Sequence, residues 1–141
     1  MRRLGIFARL PVIEQRLLMQ SWMLLAGCTL RVRLLPISLN RNWIFRDDGI
    51  EAAPPTEEAE KIAWAIGVAS RYVPGCRCLP QALAARSMLA SRGYHSEVKI
   101  AVRKQTEQLE AHAWLETNGR VWVGEVDTHP TSERPSWAVL R

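Results

Sequence analysis

Pro80-Gln81-Ala82-Leu83-Ala84-Ala85-Arg86-Ser87-Met88-Leu89, then Gly93, then Glu97-Val98-Lys99-Ile100-Ala101-Val102: along this stretch the apolar pattern changes its period, and that change decides the fold. Through Leu89 the spacing is helical. Pro80 suits a first helical turn, and Gly93 is a natural stop. Beyond Gly93 apolar and polar residues alternate, which predicts a strand over 97–102. Residues 103–108 read as a polar turn and residues 109–117 as a second strand. Asn118-Gly119 is a strong two-residue hairpin signal. A third strand follows over 120–126, with Val121 and Val123 expected on one face. A helix feeding an antiparallel meander is an α+β pattern.

Upstream, Pro11 and Glu14 open a helical pattern that runs to about Leu35, where Pro36 stops it. This segment is apolar on more than one face, so it needs a surface to pack on, within the domain or on a partner. Residues 36–55 read as a loop rich in Asn, Asp, Gly and Pro, with Trp43, Ile44 and Phe45 as its anchors. Thr56 is placed to cap a second helix, and Glu57, Glu58 and Glu60 suit the positive end of its dipole. Ile62, Ala65, Ile66 and Ala69 form its apolar stripe, and Pro74-Gly75 ends it. The tail from Asp127 shows no clear period. The expected division is an N-terminal helix over 1–36 and a main domain over 37–141.

At 141 residues and 48% hydrophobic, the chain suits one folded domain and not a disordered one. The net charge of +5 is uneven. Arg2, Arg3, Arg9, Arg16, Arg31, Arg33, Arg41 and Arg46 face the single acid Glu14 over residues 1–46. Such a face meets an acidic partner or a membrane surface, or is simply solvated. No nucleic-acid motif accompanies it, so nucleic acid is not expected. Cys28, Cys76 and Cys78 make an odd count, two of them in a C-x-C run that rarely closes a disulfide. With His95, His112 and His129 scattered, no zinc spacing emerges, and no metal or cofactor is expected. Reduced cysteines point to the cytoplasm. Leu25-Ala26-Gly27-Cys28 is shaped like a lipoprotein cleavage box, but Pro11 and Glu14 in the leader and the basic, apolar residues after it argue against export.

Two residues carry reactive chemistry. Cys78 sits at the start of the helix, where orphan N–H groups and the dipole favour a thiolate. His112 sits mid-strand in Glu110-Ala111-His112-Ala113-Trp114, between small neighbours, and is a candidate base. Across the Asn118-Gly119 turn, His112 would lie near Gly124-Glu125, where a group that orients the ring is expected. Taken singly, a cysteine at a helix start is more often a small buried residue, and a strand histidine more often structural. Cys76 reads as loop filler. Trp114 and Trp122 read as core or wall, and His95 and His129 as surface or turn residues.

Cys78-Leu79-Pro80-Gln81-Ala82-Leu83-Ala84, with Leu89 and Arg92-Gly93, resembles the cysteine motif of the B2 proteins of lasso-peptide biosynthesis, in the transglutaminase-like superfamily. The likeness continues through Val98-Lys99-Ile100-Ala101-Val102-Arg103 and Leu109-Glu110-Ala111-His112-Ala113-Trp114-Leu115-Glu116, and less sharply to the leucine-rich first helix and Leu34-Leu35-Pro36. It implies a papain/transglutaminase-like fold over 37–141 and a cysteine leader peptidase. Such an enzyme frees the core of a ribosomally made precursor peptide. The implied partners are that precursor, a separate B1-type leader-recognition protein, and the lasso cyclase, with the first helix open to membrane-surface contact. By carry-over, Cys78 attacks the scissile carbonyl, His112 is base and then acid, and the Cys78 N–H is an oxyanion donor. The chain departs from the family at the third member. The family shows Asp about a dozen residues after the His; here Gly124 stands there, with Glu125 the first candidate and Asp127 the second, or a dyad without either. An acyl transferase, or a catalytically weakened peptide-binding module of the same fold, are the alternatives.

Overall fold

In the computed structural model the described residues are 5–6, 8–46, 49–105, 107–124 and 138–140. The first long helix, α1, spans Val12–Leu34, and Leu35 leaves it in an extended conformation ahead of Pro36, as a residue before proline prefers. One face, with Leu18, Ser21, Leu25 and Cys28, is buried. The opposite face leaves Val12, Met19, Met23, Leu30 and Leu34 exposed. These five are separated by alternating steps of seven and four, a continuous helical stripe.

Residues 36–55 are not all loop. Ile37–Ile44 form a second helix, α2. The apparent turn residue Asn40 is buried, donating from Nδ2 to the Leu35 carbonyl at 3.2 Å and accepting from Arg31 Nε at 3.1 Å. The Arg31 guanidinium lies 4.4 Å from the Trp43 ring centroid. A side chain that looks like a loop residue thus brackets the corner between two helices. Ile44 enters the core, whereas Phe45 remains exposed.

Helix α3 spans Thr56–Ser70, with Pro55 at its N-cap. Thr56 is its first helical residue, not its cap, and its hydroxyl accepts from Arg120 at 3.3 Å. The stripe Ile62, Ala65, Ile66 and Ala69 is buried, as its spacing demands. Helix α4 spans Cys78–Ser91, starting two residues before Pro80. Gly93 follows with φ +81°, the left-handed stop that glycine adopts freely.

Strands β1 (Glu97–Gln105), β2 (Gln108–Thr117), β3 (Arg120–Val123) and β4 (Ala138–Leu140) form an antiparallel sheet in the order β3-β2-β1-β4. The expected turn over 103–108 is mostly strand, because β1 and β2 pair out to Gln105 and Gln108. Asn118 (φ 50°) and Gly119 (φ 81°) give the hairpin the twist its strands need. A bulge shifts the pairing between Leu115 and Glu116, so Leu115 faces Val123 while Glu116 faces Val121. Val121 is consequently exposed and Val123 buried, not on one face as the uninterrupted alternation predicts. β3 stops at Val123, short of the expected 126. β4 adds an edge to β1 from the tail, which carries too few apolar residues to show a period.

Helices α1 and α3 pack on each other and on α4, and α4 lies against β2. Leu25, Ile66, Leu83, Met88, Leu89 and Leu115 meet in one core. Each such side chain contributes about 1.5–3 kcal/mol on burial. The buried Arg86 donates to the backbone carbonyls of Ile44 and Trp43, tying α2 to α4.

Cys28 is a core residue mid-helix, and burial pushes its thiol up from 9.0 to about 11. The folded state therefore holds the proton more tightly than the unfolded chain. The associated stability is intact below pH 9 and lost as pH rises from 9 toward 11. The expected loss is on the order of 2–3 kcal/mol. Urea unfolding of Cys28→Ala should show a lower stability at pH 7 but a flatter decline over that window than the parent; parallel declines would contradict it.

Candidate functional site

Cys78 is the first residue of α4, after an extended Arg77 at the N-cap. The first backbone bond of the helix runs from the Gln81 N–H to the Arg77 carbonyl at 3.4 Å. Ahead of it, the N–H groups of Cys78 and Leu79 belong to the helix's unpaired first turn, and Pro80 brings none. The Cys78 thiol is half-buried at that positive helix end. The other cysteines are set apart. Burial pushes the Cys76 thiol up, with the neighbouring Cys78 adding to the rise, and Cys28 is deep in the core. All three thiols are free.

His112 lies on β2, opposite Ala101 of β1. Ala113, Leu115 and Thr117 are buried, and Leu115 packs with Leu83 and Leu89 of α4. His112, Trp114 and Glu116 alternate with them and are half-buried. The His112 ring stacks with Trp114, centroids 6.1 Å apart and planes at 23°. Its Nε2 lies 2.7 Å from the carbonyl oxygen of Gly124. Trp114 Nε1 donates to Glu116 Oε2 at 2.9 Å, and Glu116 and Glu97 both pair with Lys99. Glu97 also meets His95 Nε2 at 3.4 Å. A polar row therefore runs along this face from the candidate base to the start of β1.

Gly124 follows β3 with φ +80°. A Cβ at this position would fall 2.5 Å from the Ala113 carbonyl oxygen and 3.0 Å from Trp114 Cα. Its backbone thus lies directly on that of β2, beside His112. The sequence shows Gly124 only as a departure from the family's Asp; a glycine at the end of a strand was the available signal for a close backbone approach. Glu125, Asp127 and His129 lie outside the described residues. His95 is more than a surface residue. Its N–H donates to the Ala52 carbonyl at 2.7 Å and its carbonyl accepts from Thr117 Oγ1 at 3.0 Å, pinning the start of the sheet. Trp122 packs against the core, with Arg120 stacked at 4.4 Å on its ring and reaching Glu60 on α3.

Among the described residues no group of three His, Cys, Asp or Glu is placed to hold a metal ion, and no helix is long and apolar enough to cross a membrane. A profile of the transglutaminase-like superfamily matches residues 22–134, a span that holds both Cys78 and His112. The chain belongs to this superfamily, which includes cysteine peptidases and acyl transferases. No curated protein and no solved structure matches the sequence.

Proposed function

We propose that the protein is a cysteine peptidase that removes the leader from a ribosomally made precursor peptide in lasso-peptide maturation. The observation that supports this reading is the match to the transglutaminase-like superfamily over a span that holds both Cys78, the opening residue of α4, and His112 on β2. Cys78 is the nucleophile and His112 its base. A carbonyl oxygen only accepts, so the Nε2 that meets Gly124 is the protonated nitrogen, and Nδ1 of the neutral ring is the one that takes the thiol proton.

The Cys78 thiolate adds to the scissile carbonyl, and the Cys78 N–H at the helix start stabilises the oxyanion. Collapse breaks the C–N bond. The departing amine of the core peptide takes the proton from His112, leaving the leader as a thioester on Cys78. His112 then draws a proton from water, whose oxygen attacks the thioester. The leader leaves as a carboxylic acid, and the sulfur recovers its proton.

The exposed stripe of α1 is the proposed seat for the leader-recognition protein. Met23 and Leu30 are each 58% exposed and Leu34 is 71% exposed, a costly surface for a helix otherwise well anchored. Arg16, Arg31 and Arg33 beside the stripe suit an acidic rim on the partner. Paired Met23→Glu and Leu30→Glu substitutions should weaken binding to that protein at least about tenfold by calorimetry, since each places a charge in an apolar contact. Unchanged affinity would move the docking surface elsewhere. The function itself is tested by incubating the full chain with a lasso precursor peptide and its recognition protein. Mass spectrometry should show free leader and free core. Intact precursor after prolonged incubation with a folded protein would contradict the reading.

A further inference from the structure

Between their N-terminal halves, α1 and α3 leave a trough of about 580 Å³. Leu17 and the buried Ile62 line it on the core side. Ile13 lines it too and is 80% exposed, so this is an open trough and not an enclosed cavity. A small ligand needs a pocket that buries most of its surface, whereas an open trough between two helices suits a length of peptide chain. Among the described residues the charged lining is Arg16, Lys61 and Arg92 against Glu57 and Glu58. Both carboxylates are engaged within it: Glu57 meets Lys61 Nζ at 3.3 Å, and Glu58 meets Arg92 Nε at 3.5 Å. Three cations to two carboxylates favour an occupant that sets an acidic side chain beside apolar ones. The end at Arg92 is arranged in advance, because its guanidinium also donates to Met88 O at 2.9 Å and to Gln20 Oε1 at 3.4 Å. A lining already ordered loses little freedom on binding.

Cys78 opens α4, and Arg92 follows its last turn. The 14 residues between them, at about 1.5 Å each, set the trough about 20 Å from the nucleophile. An extended peptide covers that distance with about six residues. We propose that the trough is an exosite for the substrate peptide, gripping an acidic, apolar segment of the leader about six or more residues before the cut bond. The inference rests on the peptidase reading. The leader is the occupant because it stays on Cys78 as the thioester. A grip on it holds the acyl group in line through both half-reactions, whereas the core departs after the first. Contacts this far from the cut bond supply binding energy that selects one peptide among many. Ile13 and Lys61 lie outside the exposed stripe of α1, so the trough and the proposed partner seat can be perturbed separately.

The test measures leader release by the full chain from a lasso precursor peptide, with its recognition protein at saturation. Lys61→Glu and Ile13→Asn should each raise KM at least about tenfold, with kcat within about twofold of the parent. Lys61→Arg keeps the charge and should keep the parent KM. Iodoacetamide alkylation of Cys78 and affinity for the recognition protein should not change in these variants, which separates a lost exosite from lost folding or lost docking. In the precursor, the leader's acidic residues are replaced by Lys one at a time. One replacement, about six or more residues before the cut bond, should raise KM for the parent and lower it for Lys61→Glu, the mark of a direct charge contact. Parent-like KM in both Lys61→Glu and Ile13→Asn would overturn the exosite and leave the peptidase reading intact. So would a dependence on acidic residues of the core and none of the leader. Should either variant fail to fold, the precursor series with the parent protein decides the matter alone. Intact precursor with the parent would overturn the peptidase reading, and the exosite with it.

Discussion

Cys78→Ala is expected to abolish leader release, with a rate at least about a thousandfold below the parent, because no covalent route remains when the nucleophile is removed. Cleavage is followed by mass spectrometry of the released leader. The fold should survive, since alanine is a good helix former and Cys78 is only half-buried at the helix start. Affinity for the precursor and its recognition protein should therefore be unchanged, which separates lost chemistry from lost structure. Cys78→Ser should fall nearly as far. A serine hydroxyl is a far weaker acid and a poorer nucleophile than a cysteine thiol. Cys76→Ala should keep most of the activity, because burial holds that thiol protonated. A Cys76→Ala variant as dead as Cys78→Ala would make the C-x-C pair a joint device and contradict the single-nucleophile account.

The largest effect on stability is expected from Arg86→Ala. The guanidinium is buried and donates to the carbonyls of Trp43 and Ile44 at the end of α2. Alanine leaves those acceptors without their donor in a place where Ile44 is almost fully enclosed. It also opens the volume the side chain filled. Each buried acceptor left without its donor costs about 1–3 kcal/mol. The urea midpoint should drop accordingly. Arg86→Met restores most of the volume but not the donors, so it should recover only part of the loss. A change below about 1 kcal/mol in Arg86→Ala would mean that α2 is held by Ile44 packing alone.

These two residues differ in how much of their role the sequence exposes. Cys78 announces itself, because a helical stripe follows it directly and a strand pattern follows that. The same change of period located β1, β2 and the Asn118-Gly119 hairpin to within a few residues. Arg86 does not announce itself. In one dimension it is one more arginine on an alanine-rich helix, and only the docking of α2 makes it a buried donor. Helix α2 was hidden for a related reason: Asn40 and Asn42 carry turn preferences, yet Asn40 is enclosed by Arg31 and the Leu35 carbonyl. Tertiary contacts there override local preference. β4 has too few residues for any period to be visible. The bulge at Leu115 and Glu116 is a register effect, so simple alternation misplaced Val121. Gly124 shows the same limit at the site. Its identity was plain as a departure from Asp, but the carbonyl that contacts His112 belongs to every residue type and leaves no mark in a sequence.

The central claim is that Cys78 carries the leader as a thioester. Rapid acid quenching of the full chain with precursor and recognition protein, followed by proteolysis and mass spectrometry, tests it most directly. The account predicts the leader acylated on the peptide containing Cys78, on that sulfur and not on Cys76, and lost on treatment with hydroxylamine. Acylation confined to Cys76, or leader release by Cys78→Ala with no acyl-enzyme, would contradict it.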